Sequence, residues 1–348
     1  MITNALHVPA TDARQESALG FRLLNEFQRA FPLVPAPYAA VAARLGVREA
    51  EVLDALAALL DAGAVSRVGA VFAPNSIGVS TLAALRVPQG RLTEVAALVN
   101  ARHEVNHNYE REGDPNLWFV MSAADANALE HAAHAIESAA QCGTLLRFPL
   151  IEEYRIDLGF DLRADAPTAA VSGWRAPPVR ERLDAADRAL MSALQTGLAP
   201  TPFPFRTLGT RIGMDEDEVL ARVRRWTETG AIRRFGVVVR HRQLGYRANA
   251  MAVWDVPNEA VSGAGRALAR QAGVTLCYRR ERHLPAWPFN LYCMIHGRIR
   301  EQVLERLTEI GHACALDRYA SRVLFSRTCY KQRGAVYFPG ECNGPRGA

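Results

Sequence analysis

The chain has 348 residues and a formal net charge of +5, with 49% apolar and 22% charged residues, which suits two or more folded domains with sizeable cores. No uncharged apolar run approaches the length of a membrane span, and the polar stretch Met1 to Gln15 lacks the apolar core of a signal peptide, so a membrane or secreted protein is not expected. Lys331 is the only lysine; GC-rich coding accounts for much of that bias, yet the planar, permanently charged arginine fork still favours a phosphate- or carboxylate-rich partner. A helix is expected from Ser17 to Ala30, and Pro37 opens a short one, Tyr38 to Arg44. Gly46 makes the turn into a third helix, Arg48 to Ala62, whose apolar stripe is Val52, Leu56, Leu59 and Leu60. Gly63 stops it, and Ala64 to Phe72 reads as a β wing, completing a winged helix-turn-helix. Then come strand Ser80–Val87, helix Leu92–Ala101, strands Val105–Arg111 and Asn116–Ser122, helix Ala124–Ala139 and strand Arg147–Ile156. That order predicts a ferredoxin-like βαββαβ sandwich, with helices on one sheet face and the other face open.

The plan then repeats. Arg44-Leu45-Gly46-Val47 recurs as Arg211-Ile212-Gly213-Met214, an offset of 167 residues that also maps Pro35 to Pro202, Arg67 to Arg234 and Gly69 to Gly236. The second winged helix runs from Asp184 to Arg240, with its third helix at Asp215 to Thr229. Its sandwich is Ala248–Val256, Ala260–Ala272, Val274–Arg280, Phe289–His296, Ile299–Ile310 and Arg322–Tyr330. The expected class is therefore α+β, a tandem duplication of a winged helix-turn-helix followed by a ferredoxin-like sandwich. The units are 17–73 and 74–165, a linker at 166–182, then 183–240 and 241–338. The Gly- and Pro-containing tail after Phe338 is expected to be loose. The period is too long for a solenoid, so the copies are expected to form an internal pseudo-dimer, packed through their open sheet faces. The six cysteines show neither a C-x-x-C pair nor zinc spacing, which reads as reduced thiols in a cytoplasmic protein.

A helix-turn-helix raises DNA binding first, and with it a transcriptional regulator sensing a small ligand. The helix that would enter the groove begins Arg48-Glu49-Ala50-Glu51 in copy one and Asp215-Glu216-Asp217-Glu218 in copy two. Carboxylates there suit the helix dipole and oppose phosphate, so DNA binding is disfavoured. No P-loop, dinucleotide fingerprint, nucleophile elbow or H-E-x-x-H motif is present.

The chemistry sits on the central strands. Side-chain alternation puts His107, Tyr109 and Arg111 on one face of the copy-one strand, and Leu276, Tyr278 and Arg280 at the equivalent positions of copy two. On the next strands Asn116, Trp118 and Ser122, and Asn290, Tyr292, Met294 and His296, point away from the helices. Such a face suits a flat, anionic, aromatic ligand, although each residue taken alone is as well explained by packing. The copy-two loop with His283 and the final strand with Arg327, Lys331 and Arg333 add positive charge.

These residues carry a resemblance. A winged helix before a βαββαβ sandwich is similar to the AsnC/Lrp regulators. His107-Asn108-Tyr109-Glu110-Arg111 with Asn116-Leu117-Trp118-Phe119, and Cys277-Tyr278-Arg279-Arg280 with Asn290 to Gly297, resemble the siroheme decarboxylases over about residues 18 to 338. The tails Ile156 to Phe160 and Lys331 to Gly334 fit the D-type and L-type subunits of the haem d1 pathway, so the chain looks like the two fused. The resemblance implies decarboxylation of the C12 and C18 acetates of siroheme to 12,18-didecarboxysiroheme. It implies no cofactor and no metal beyond the iron of the substrate, and leaves room for a further oligomer or related decarboxylase subunits. A histidine near its ordinary pKa would protonate the carbanion-like centre. The expected catalytic residues are His107, His296, Arg111 and Arg280. Tyr109, Asn116, Trp118, Tyr278, Arg279, His283, Asn290, Tyr292, Arg327, Lys331 and Arg333 are expected to bind substrate. Copy two has Leu276 where copy one has His107, which makes two equivalent active sites doubtful.

Overall fold

The structure, a computed structural model, describes residues 10–156, 159, 183–240 and 244–338, with side chains from residue 18 onward. The expected linker 166–182, most of the Asp157 to Phe160 tail, Cys342 and the rest of the C-terminal tail lie outside the described residues.

Each copy opens with three helices and a wing. In copy one these are α1 (Ala10–Glu26), α2 (Pro37–Leu45), α3 (Glu49–Asp61) and β1 (Val65–Phe72). Pro37 starts α2, where a missing N–H costs nothing, and Gly46 ends it in the left-handed region at φ 71°. The Glu51 carboxylate accepts the Arg48 N–H at 2.9 Å and so closes the start of α3. α1 ends at Glu26 rather than at Ala30, because the next residues pair with the opposite wing: Val237 N donates to Phe27 O at 2.8 Å.

The sandwich of copy one follows as β2 (Val79–Leu85), α4 (Leu92–Ala101), β3 (Val105–Arg111), β4 (Leu117–Ala123), α5 (Ala126–Ala140) and β5 (Leu146–Ile156). Copy two repeats the series as α6 (Ala185–Thr196), α7 (Pro204–Ile212), α8 (Glu216–Glu228), β6 (Ile232–Val239), β7 (Ala248–Trp254), α9 (Val261–Ala269), β8 (Val274–Arg280), β9 (Leu291–Gly297), α10 (Arg300–Ala313) and β10 (Ser321–Gln332).

Two structures join the copies. The wings β1 and β6 pair antiparallel, with Gly69 opposite Gly236. A side chain at Gly236 would lie 2.2 Å from Phe27 O, so only glycine lets the ribbon sit this close to the end of α1. The six winged-helix helices and the ribbon share one apolar core, including Phe27, Tyr38, Leu56, Phe205, Val219 and Trp226.

The second join is an eight-stranded closed barrel in the order β10-β3-β4-β2-β5-β8-β9-β7. The last strand of each copy is shared. β5 pairs with β2 through residues 146–149 and with β8 through 150–156. β10 pairs with β7 through 321–325 and with β3 from Ser326 onward. The expected packing through the open faces is present, with Trp118 of copy one 5.1 Å from Trp287 of copy two, and the shared final strands add an edge-to-edge union. Each sandwich leaves unsatisfied strand edges, and the long final strands satisfy them across the join. The open faces become the wall of a common lumen, while the helices cover the outside over separate cores, one with Leu117, Phe119 and Met121 and the other with Leu291, Cys293 and Ile295. Of the cysteines, Cys277 and Cys293 are buried, and Cys142, Cys314 and Cys329 are half-buried free thiols. No helix among the described residues is long and apolar enough to cross a membrane.

Candidate active site in the lumen between the two copies

A cavity of about 370 Å³ fills the lumen and continues under the paired wings. Among the described residues six arginines line it, Arg67, Arg111, Arg234, Arg240, Arg280 and Arg333, and no aspartate or glutamate does. The wall is therefore strongly cationic around an aromatic and aliphatic interior.

Alternation along the strands brings His107, Tyr109 and Arg111 together on β3, and Leu276, Tyr278 and Arg280 on β8. The Arg111 guanidinium lies 5.6 Å from the Tyr109 ring centre and Arg280 lies 5.0 Å from that of Tyr278. Both arginines are anchored across the join. Arg111 Nη1 donates to Leu324 O at 3.2 Å, and Arg280 Nη1 to Phe148 O at 2.7 Å. Burial lowers the Arg280 pKa, and burial raises that of Tyr278, so the phenol stays neutral.

The His107 ring runs nearly parallel to that of Tyr109, with centres 6.3 Å apart. Burial, then the nearby Arg67 charge, lowers its pKa to about 4. This corrects the expectation of a near-neutral pKa: the imidazole is uncharged at pH 7. His296 lies at the end of β9, and its Nδ1 is 2.9 Å from Thr275 Oγ1. The equivalent pair in copy one is Asn106 and Ser122, with Asn106 Nδ2 donating to Ser122 Oγ at 3.2 Å. Each copy thus supplies one histidine, from different strands, with Leu276 and Ser122 at the mirrored positions.

Trp118 and Tyr292 also reach the wall, above a buried aromatic floor that includes Phe148 and Trp287. Trp118 Nε1 donates to Pro115 O at 2.8 Å, and Tyr292 Oη accepts from Trp287 Nε1 at 2.7 Å. Arg333 lines the cavity while its Nη2 donates to His103 O at 2.6 Å.

Six expected substrate-binding residues lie away from the cavity. Asn116 and Asn290 each clasp a main-chain amide and carbonyl at the end of a neighbouring strand, those of Val87 and Val256. His283 packs edge-on against Phe148 and bonds Arg147 O. Arg279 alternates to the other face of β8 from Tyr278 and Arg280. Arg327 lies outside, 3.9 Å from Glu110 and 4.0 Å from Glu112. Lys331 Nζ donates to Asn100 O and Arg102 O at 2.6 and 2.8 Å. The reading of that strand rested on its positive charge alone, and its pairing with β3 is irregular between Ser326 and Lys331.

The winged helices contribute wall residues that strand reasoning missed, chiefly Arg67, Gln195, Arg234 and Arg240. The recurrence of arginine at 67 and 234 was a visible signal, but no rule of alternation within the sandwich reaches the wing.

Known proteins share this architecture. The model of the AsnC-like ligand binding domain matches residues 76–155 and 243–331, and that of the siroheme decarboxylase NirDL-like HTH domain matches 21–65 and 187–233. The siroheme decarboxylase NirDL subunit of Paracoccus denitrificans (strain Pd 1222) is 47% identical over 318 residues, covering 91% of this chain and 97% of the relative. The chain belongs to the siroheme decarboxylase NirDL family. A crystal structure of the siroheme decarboxylase NirDL superposes with a TM-score of 0.68 at 26% identity, covering 94% of this chain and 96% of that one. A second, of NirDL in co-complex with an iron-uroporphyrin III analogue, gives 0.67 at the same identity and coverage.

Proposed function

We propose that this chain is a carboxy-lyase that removes the C12 and C18 acetate carboxyl groups of siroheme, giving 12,18-didecarboxysiroheme for haem d1 biosynthesis. The observation that carries this reading is the lumen wall, with six arginines, no carboxylate among the described residues and an aromatic interior. Siroheme is a flat iron tetrapyrrole with eight carboxylates, and membership in the NirDL family agrees.

The wall supplies what a decarboxylation needs. Arg111 and Arg280 present charged forks that pair with carboxylates, and their main-chain anchors fix the direction of each fork. Loss of carbon dioxide leaves an electron pair on the side-chain carbon, which takes up a proton. His107 and His296 are the donors we assign. His107 is neutral at pH 7, but a substrate carboxylate beside it favours the imidazolium, so binding itself loads the donor. No organic cofactor enters this scheme, and the iron belongs to the substrate.

The regulator alternative fares worse. Arg222 of α8 bonds Asp184, Asp187 and Glu218, Arg225 bonds Asp187, and Arg224 bonds Leu33 O, so all three have partners within the protein. The test is to fill the lumen. Leu276→Trp adds bulk to the wall from a half-buried position. Siroheme binding and turnover should both disappear while the melting curve stays cooperative. Normal turnover with the lumen filled would overturn the proposal.

A further inference from the structure

The repeat makes each wing arginine a control for the other. Arg67 and Arg234 occupy equivalent positions on β1 and β6, and both line the cavity. Each guanidinium reaches a carbonyl of its own wing at the equivalent place: Arg67 Nη2 to Ala70 O at 3.0 Å, and Arg234 Nη1 to Val237 O at 3.5 Å. Arg234 makes a further bond, 3.0 Å, to Gln28 O at the end of α1. Arg67 has no such bond to Gln195, the residue that matches Gln28. Instead Arg67 Nε and Gln195 Nε2 are both buried donors with no acceptor among the described residues. Both side chains belong to the wall of one cavity, and among the described residues that wall carries no carboxylate. Buried donors are rarely left without an acceptor, so two at one wall point to an anionic oxygen supplied from outside the chain.

We propose that Arg67 and Gln195 form a subsite for one peripheral carboxylate of the tetrapyrrole, holding it beside His107. The wings, which in a helix-turn-helix lie against nucleic acid, here close over the substrate. The electrostatics agree, since the Arg67 charge already reaches His107. A carboxylate between the two groups satisfies the fork and offsets its charge at the imidazole. Among the described residues copy two has no matching subsite, because Arg234 is bonded to Gln28 O and Leu276 replaces the histidine. The tetrapyrrole then has one preferred orientation in an otherwise pseudo-symmetric lumen.

This inference rests on siroheme being the substrate, and the test separates the two claims. Siroheme is titrated anaerobically into the wild-type protein, Arg67→Ala, Arg67→Lys and Gln195→Leu, with kcat and KM measured for each across pH. If the wild-type protein neither binds nor decarboxylates siroheme, the functional reading fails. If it does both, Arg67→Ala should bind about 10- to 100-fold more weakly, the loss of one charge-assisted bond at a buried site. Arg67→Lys should recover part of the affinity, and Gln195→Leu should raise KM more than it lowers kcat. The pH profile of Arg67→Ala should also move, because the neighbour of His107 has changed. The second probe is the same macrocycle with its carboxylates converted to neutral amides, for which wild type and Arg67→Ala should bind alike. Unchanged siroheme affinity and pH profile in a folded Arg67→Ala variant would overturn the subsite, as would an equal penalty with the amide.

Discussion

Arg111 and Arg280 are bound to equivalent carbonyls of each other's copy, Leu324 O in copy two and Phe148 O in copy one. The same side chains therefore hold the barrel together and face the ligand. Arg111→Ala and Arg280→Ala should raise KM and lower Tm together. A buried bond to a charged group is worth about 1.5–3 kcal/mol, which sets the expected size of the stability loss. Thermal melts and steady-state kinetics on the same preparations check this. A higher KM with an unchanged Tm would mean that the cross-copy anchor adds nothing to the fold.

His107→Ala should lower kcat by about 10²–10⁴-fold with the fold intact, the range for a positioned acid or base. The pH dependence of stability should change as well. The folded pKa of His107, about 4, lies below its ordinary 6.5, so between these values the unfolded chain binds the extra proton. This contribution to stability is complete above about pH 6.5 and is lost as pH falls toward 4. The Tm difference between pH 7 and pH 5 should be smaller in His107→Ala than in wild type. Equal differences would contradict the buried neutral imidazole.

His296→Ala discriminates one site from two. His296 is the histidine that copy two supplies to the lumen, bonded to Thr275. If it serves one of the two decarboxylations, the variant should accumulate monodecarboxysiroheme, seen by mass. Completion of both steps at the wild-type rate would make His296 structural.

Lys331→Met should lower Tm without raising KM, since its ammonium holds Asn100 O and Arg102 O outside the cavity. Gly236→Ala should be more damaging, by about 1–3 kcal/mol or more, because the added carbon meets Phe27 O at 2.2 Å. Chemical denaturation measures both.

The winged helices, the sandwiches and the helix-facing residues of β4 and β9 were legible because each depends on local spacing. His107, Tyr109 and Arg111 were found by alternation along the part of β3 that keeps its register with β4, beyond the shift between Val105 and His107. The failures have a common cause, in that they concern contacts between distant segments. Nothing within β5 or β10 announces that each changes partners midway, which is what turns facing sheets into a barrel. Lys331 was misplaced because it was chosen for its charge, and charge does not tell which way a side chain points; its ammonium turns to Asn100 O and Arg102 O. Asn116 and Asn290 were read as strand residues, yet each lies immediately before β4 or β9 and folds back onto a neighbouring strand end. Arg67 and Gln195 were missed because only the tertiary fold brings the wing and α6 over the lumen.

In the proposed reaction one chain, carrying both halves, removes two carboxyl groups from siroheme. The direct measurement is the carbon dioxide released per siroheme by the purified chain alone under anaerobic conditions, with the product mass followed in parallel. Two per siroheme and a product lighter by two carbon dioxide units are expected. No release and an unchanged mass, together with salt-sensitive binding to promoter DNA, would contradict it.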